Sequence, residues 1–211
     1  QNIQKDALEL AIKTFKDHER IIFNGNGYSD EWVEEAERRG LLNLKTTPDA
    51  MPYFKSQKSI DLFVGQGVFS KVEVETRTEI MMEEYNNTLH FEMLTMLEMA
   101  KQEILPACLK YTKFVTDDVL SKKSLGIDAP LEFSKVQKLT ALTEDMMSKI
   151  DDLQAKADAV PTDDVFETGH YYAYTVMPAM ESLREVADTL ETMVAKEYWP
   201  FPTYTELLYF Q

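Results

Sequence analysis

The pattern in this sequence nearest to metal chemistry is Glu167-Thr168-Gly169-His170, because E-x-x-H spacing puts both side chains on one helical face, as in di-iron carboxylate bundles. Such a centre needs the pair twice. His90 is preceded three residues earlier by Asn87, and His18 by Phe15, so neither completes the set and His170 reads as a solvated or core-edge residue. A second candidate is Asn24-Gly25-Asn26-Gly27-Tyr28-Ser29, which runs into a helix start where an anion could sit. It lacks the third glycine of G-x-G-x-x-G and the Lys-Ser/Thr of a P-loop, and Asp30 and Glu31 would repel a phosphate. A structural turn is expected, with its glycines at positive φ.

The other chemistry-bearing residues do not converge either. Glu83/Glu84, Asp117/Asp118, Asp151/Asp152 and Asp163/Asp164 are sequence neighbours, which a helix points about 100° apart, unlike a cooperating acid and base. Cys108 has only Lys110 as a nearby cation and no obvious base, so a buried inert thiol is expected. Met81, Met82, Met93, Met96, Met99, Met146 and Met147 either fill a core or form an adaptable groove for a partner. Tyr198-Trp199-Pro200-Phe201-Pro202-Thr203-Tyr204 must leave a helix, because its prolines enforce an extended path; it packs back on the chain, docks on a neighbouring subunit or is taken up by a proline-binding module. No catalytic, cofactor-binding or metal-ligating residue is assigned.

The elements that carry these residues are helical. Residues 6–19 space Leu8, Ala11, Ile12 and Phe15 as one face, ending at the Asn-Gly turn. Ser29 caps a short helix to Gly40, with Glu34/Arg38 and Glu35/Arg39 as i,i+4 pairs. Thr47-Pro48 reads as an N-cap followed by proline at the first helical position, and residues 56–65 as another short helix. Ser70-Lys71-Val72-Glu73 is a capping box, followed by Val74, Thr78, Met81, Tyr85, Leu89, Met93, Met96, Ala100 and Ile104 at helical spacing. Pro106 should kink this helix, which continues to Gly126. A further helix restarts at Asp128-Ala129-Pro130 with Val136, Leu139, Leu142, Met146, Ile150, Leu153 and Ala157 as its stripe. The last long helix is capped within Thr162-Asp163-Asp164 and carries Val165, Gly169, Tyr172, Val176, Met180, Leu183, Ala187, Leu190 and Val194. Short connections between such helices predict an all-α fold of long antiparallel helices, in a bundle or helical hairpins, preceded by short helices and turns.

Charge narrows the function classes. Against 22 Lys and Arg stand 37 Asp and Glu, a net charge of -15, which disfavours nucleic-acid and membrane-surface binding. One cysteine permits no internal disulfide and fits a reducing, cytoplasmic setting. The opening residues Gln1 to Leu8 read as the interior of a helix, so a piece of a longer protein is expected. Glu206-Leu207-Leu208-Tyr209-Phe210-Gln211 resembles a tobacco etch virus-type protease recognition sequence, and part of this end is expected to be appended.

Several segments together resemble the type III glutamine synthetases. Ile21-Ile22-Phe23-Asn24-Gly25-Asn26-Gly27-Tyr28-Ser29-Asp30-Glu31-Trp32-Val33 is close to a signature of that family, followed by Glu34-Glu35-Ala36-Glu37-Arg38-Arg39-Gly40-Leu41 and Asn43-Leu44-Lys45-Thr46-Thr47-Pro48-Asp49-Ala50. Gly67-Val68-Phe69-Ser70 with Glu73 is similar to the turn that closes the catalytic domain, and Tyr198 to Tyr204 to the family's ending. The resemblance implies a C-terminal region of an enzyme that joins ammonia to glutamate with ATP and Mg or Mn, through a γ-glutamyl phosphate, in two stacked hexameric rings. The catalytic and metal-binding residues of that family match nothing in this sequence. The expected organisation is therefore 1–69 as the end of the catalytic domain, in short helices and turns, 70–199 as a long-helix bundle and 200–211 as an extended aromatic, proline-rich tail. Its partners would be the rest of the synthetase chain and neighbouring subunits. The alternative is a free-standing helical module that binds a partner.

Overall fold

A computed structural model describes residues 3–209, apart from the side chains of Tyr204 and Thr205. Gln1 and Asn2, and the end of the protease-like sequence at Phe210 and Gln211, lie outside the described residues. Secondary structure is helical, with no strand among the described residues, so the fold is all-α as the periodicity predicts. The chain divides into two compact units, Gln1–Lys45 and Thr46–Gln211.

The first unit holds α1 (Ile3–Asp17), a single 3-10 turn at Glu19–Ile21 and α2 (Asp30–Arg38). Phe23 and Trp32 stack with ring centroids 4.4 Å apart, and the Arg39 guanidinium lies over both rings. Arg39 also donates to the Ile22 carbonyl at 2.6 Å, tying the end of α2 to the chain before the turn. Glu35 accepts from both Arg38 and Arg39, so the expected Glu34/Arg38 pair is replaced by an i,i+3 pair to the better placed carboxylate. Two bonded guanidinium groups, Arg38 first, hold the Glu35 carboxyl below its ordinary range. Ser29 precedes α2 as expected, but its hydroxyl donates to the Asn26 carbonyl instead of capping.

The glycines of this turn correct one expectation, since neither Gly25 nor Gly27 has positive φ. A Cβ on Gly25 would lie 2.5 Å from the Phe23 ring. Gly25 is thus required for close approach to an aromatic ring, while the left-handed positions fall at Gly40, Gly67 and Gly126, each just past a helix end.

The second unit begins with α3 (Thr47–Phe54) and α4 (Gln57–Gly65). The cap of α3 is Thr46, one residue before the expected Thr47. Asp49 at the third helical position makes the difference, because its amide donates to the Thr46 hydroxyl, which in turn donates to the Asp49 carboxylate at 2.7 Å. Both short helices pack on α5 (Lys71–Met99). The predicted capping box opens α5: the Ser70 amide donates to Glu73 at 2.7 Å and the Glu73 amide to Ser70.

A five-residue π turn, Ala100–Ile104, joins α5 to α6 (Leu105–Ser124). Pro106 stands two residues after its end. A second π turn, Tyr172–Val176, joins α8 (Val165–Tyr171) to α9 (Met177–Met193) just ahead of Pro178. In each case the amide before the proline bonds five residues back, Leu105 to Ala100 and Met177 to Tyr172. The wide turn absorbs the ring that would otherwise collide with a carbonyl one turn earlier, so the helices continue. The periodic pattern leads one to expect a disturbance at Pro106 and none at Pro178.

Between these rods lies α7 (Pro130–Asp158), antiparallel to both. Lys122 to Glu132 and Lys101 to Gln154 join α7 to the first rod, and Lys149 to Ser182 joins it to α9. Leu139, Met146, Ile150 and Leu153 of α7 are fully buried against Leu183 and Leu190 of α9 and Met93 and Leu97 of α5. Each buried aliphatic side chain contributes about 1.5–3 kcal/mol relative to exposure. Of the tail alternatives, packing back on the chain is the one seen. Tyr198, Trp199 and Phe201 lie against the core, with Tyr198 and Tyr111 centroids 5.2 Å apart, and α10 (Tyr204–Leu208) follows.

Candidate functional site

The stripe of α5 that faces its neighbours is Val74, Thr78, Met82, Asn86, Leu89, Met93 and Leu97, then Ala100 and Ile104. The expected stripe took Met81, Tyr85 and Met96 in place of Met82, Asn86 and Leu97. An apolar count rejects a buried asparagine, yet Asn86 is 8% exposed because its amide donates to the Val165 carbonyl at the start of α8. The same face carries Met82, which is fully covered while Met81 remains 46% exposed.

Gly169 of α8 lets this happen. A Cβ there would lie 2.5 Å from Met82 Cε, 3.0 Å from Pro48 Cγ and 3.1 Å from Asn86 Oδ1. Among the described residues Asn86 Oδ1 is buried without a hydrogen-bond partner, and the Gly169 Cα–H group facing it supplies only a weak contact. Three helices, α3, α5 and α8, therefore meet around a glycine.

At the solvent edge of this junction an aspartate, a tyrosine and a histidine from different parts of the sequence converge. Asp49 of α3 accepts from the hydroxyls of Tyr174 and Thr46, and His170 Nδ1 lies 3.6 Å from its other oxygen. The Tyr174 bond, then the Thr46 bond, hold the Asp49 carboxyl below its ordinary value, and the same bond raises the Tyr174 phenol. A carboxylate so engaged is a poor general base. His170 stacks on Tyr174 at 6.0 Å and belongs to this tie, while Glu167, its E-x-x-H companion, is exposed and its amide donates to the capping Asp164. Among the described residues no group of three or more His, Cys, Asp or Glu side chains is arranged to hold a metal ion.

On the opposite side of α8, His90 Nδ1 lies 3.0 Å from the Tyr172 hydroxyl, beside an open cleft of about 750 Å³ rimmed by Glu83, Asp158 and Asp163. No base, nucleophile and anion-stabilising donor converge there. Cys108 is fully buried, and burial pushes its thiol up to about 11, far from a reactive thiolate. Asp117, Asp118 and Asp152 pair with lysines one turn away along their helices, and Asp164 caps α8. Met82, Met93 and Met146 fill the core, whereas Met96 and Met99 line a surface groove. The Asp49–Tyr174 tie was not anticipated; Thr46-x-x-Asp49 at a helix start is its one signal in the sequence.

Among the described residues no helix is long and apolar enough to cross a membrane. Residues 6–123 match the sequence model of the family described as the glutamine synthetase C-terminal domain. Across 98% of its length the chain is 39% identical to a glutamine synthetase of Butyrivibrio fibrisolvens, and it spans 30% of that relative. It is 33% identical to the type-3 glutamine synthetase of Dictyostelium discoideum over 98% of its length, spanning 29% of it. To a glutamine synthetase of Bacteroides fragilis it is 29% identical over 90% of its length, spanning 27%. The chain belongs to the glutamine synthetase C-terminal domain family and corresponds to the C-terminal region of the type III enzymes.

Proposed function

We propose that this region serves a glutamine synthetase as a helical scaffold for assembly, with the ligation chemistry carried by the rest of the polypeptide. In this reading residues 1–69 complete the catalytic domain, 70–199 form the bundle, and the tail from 200 closes it. The whole enzyme would join ammonia to glutamate at the expense of ATP, with divalent metal at a site built elsewhere, in a homo-oligomer of stacked rings in the cytoplasm.

The observation that carries the reading is α1. It is an amphipathic helix with no buried residue: Ile3, Leu8, Leu10, Ile12 and Phe15 are all exposed. A helix so patterned is built to be covered. The remainder of the synthetase, of which this chain spans about three tenths in its relatives, is the natural cover. The purified chain is expected to form no glutamine from glutamate, ammonia and ATP with Mg or Mn present. Turnover by the chain alone would overturn the scaffold reading.

A further inference from the structure

In a bundle of three rods one seam stays open. The rods of α5 and α9 run in the same direction on either side of α7, and between them lies a groove of about 760 Å³, open along one side. Its floor is Met96, Ala100, Met180, Leu183 and Ala187, and Trp199 and Phe201 form an edge-to-face corner with centroids 6.4 Å apart. The lining positions recur at helical spacing on both walls, 92, 96 and 99 on one and 180, 184, 187 and 191 on the other. From 180 to 191 the wall runs about 16 Å, the length of roughly three helical turns. Two parallel walls in helical register, an apolar floor and a three-turn length describe the slot of a fourth helix.

The rim specifies the charge of that helix. Glu92, Asp188 and Glu191 border the groove against one cation, Arg184, which Asp188 already engages at 3.5 Å. Glu92 and Glu191 are in no ion pair among the described residues. With a net charge of -15 on each chain, a second acidic copy would meet like charge at the rim. We infer that this groove docks a basic amphipathic helix of a partner polypeptide, apolar residues at i, i+3, i+4 and i+7 against the methionines and lysine or arginine toward Glu92 and Glu191. Methionine suits the task, because its flexible side chain adapts to different apolar partners. The groove and its rim have this chemistry whether or not the chain serves a synthetase.

The test uses the 211-residue chain and a synthetic helix of about four turns, leucine on one face and lysine on the flanks. Methyl resonances of Met96, Met99 and Met180 should shift saturably, while those of core Met82 and Met146 stay put. Glu92→Lys with Glu191→Lys should weaken binding roughly tenfold or more. Ala187→Trp, which fills the slot, should abolish the shifts, with the Met146 resonance reporting that the fold is kept. A leucine/glutamate helix should not bind the native chain. Binding that survives both variants means diffuse charge attraction and overturns the inference, as does an absence of methyl shifts. Concentration-dependent dimerisation lost in Ala187→Trp overturns it too, in favour of a second copy.

Discussion

Helices α1 and α7 carry the same kind of amphipathic pattern and meet opposite fates. Leu139, Ile150 and Leu153 of α7 are fully buried, whereas Leu8 and Phe15 of α1 are more than 60% exposed. Periodicity reports that a helix is built to be covered; it does not report by what. For α7 the cover comes from α6 and α9 of the same unit, antiparallel across short connections. For α1 the proposed cover is the remainder of a synthetase.

The sharpest way to break this contrast is to truncate matched side chains on the two helices. Leu153→Ala should destabilise the chain by about 2–5 kcal/mol in urea unfolding, because it leaves a cavity in a closed core. Gly169→Ala comes next: its methyl group meets Met82, Pro48 and Asn86, and the crowding of about 1–3 kcal/mol outweighs the helix-propensity gain of up to about 1 kcal/mol. Ser70→Ala removes a capping box and should cost about 1 kcal/mol. Tyr174→Phe acts through pH. The lowered Asp49 carboxyl contributes stability that is present above the ordinary aspartate value and lost as pH falls through its lowered value. Removing the phenol that holds it low should narrow the stability difference between neutral and acid solution, measured by unfolding at both. Phe15→Ala should change the stability of the isolated chain by no more than about 0.5 kcal/mol. The same change in the whole synthetase should lower its thermal stability, and an equal response in both settings would break the contrast.

The long helices were legible because apolar residues recur over many turns and punctuation is strong, as at Ser70, Gly126 and Pro130. Details decided by one side chain were not. The burial of Asn86 on the covered face of α5 goes with its bond to Val165, between residues 79 apart, which no local count can see. The start of α3 moved by one residue because Asp49 favours Thr46. The π turn before Pro178 was missed because the apolar stripe runs unbroken from Val165 to Val194 across the proline. The Asp49–Tyr174 tie joins groups 125 residues apart, and only the folded chain brings them together.

Deleting residues 70–204 from the whole synthetase, then measuring ring size and stacking by light scattering and electron microscopy beside glutamine formation, tests the scaffold role most directly. A scaffold predicts an altered oligomeric state, larger in effect than any change in active-site chemistry. Unchanged ring size and stacking would contradict it.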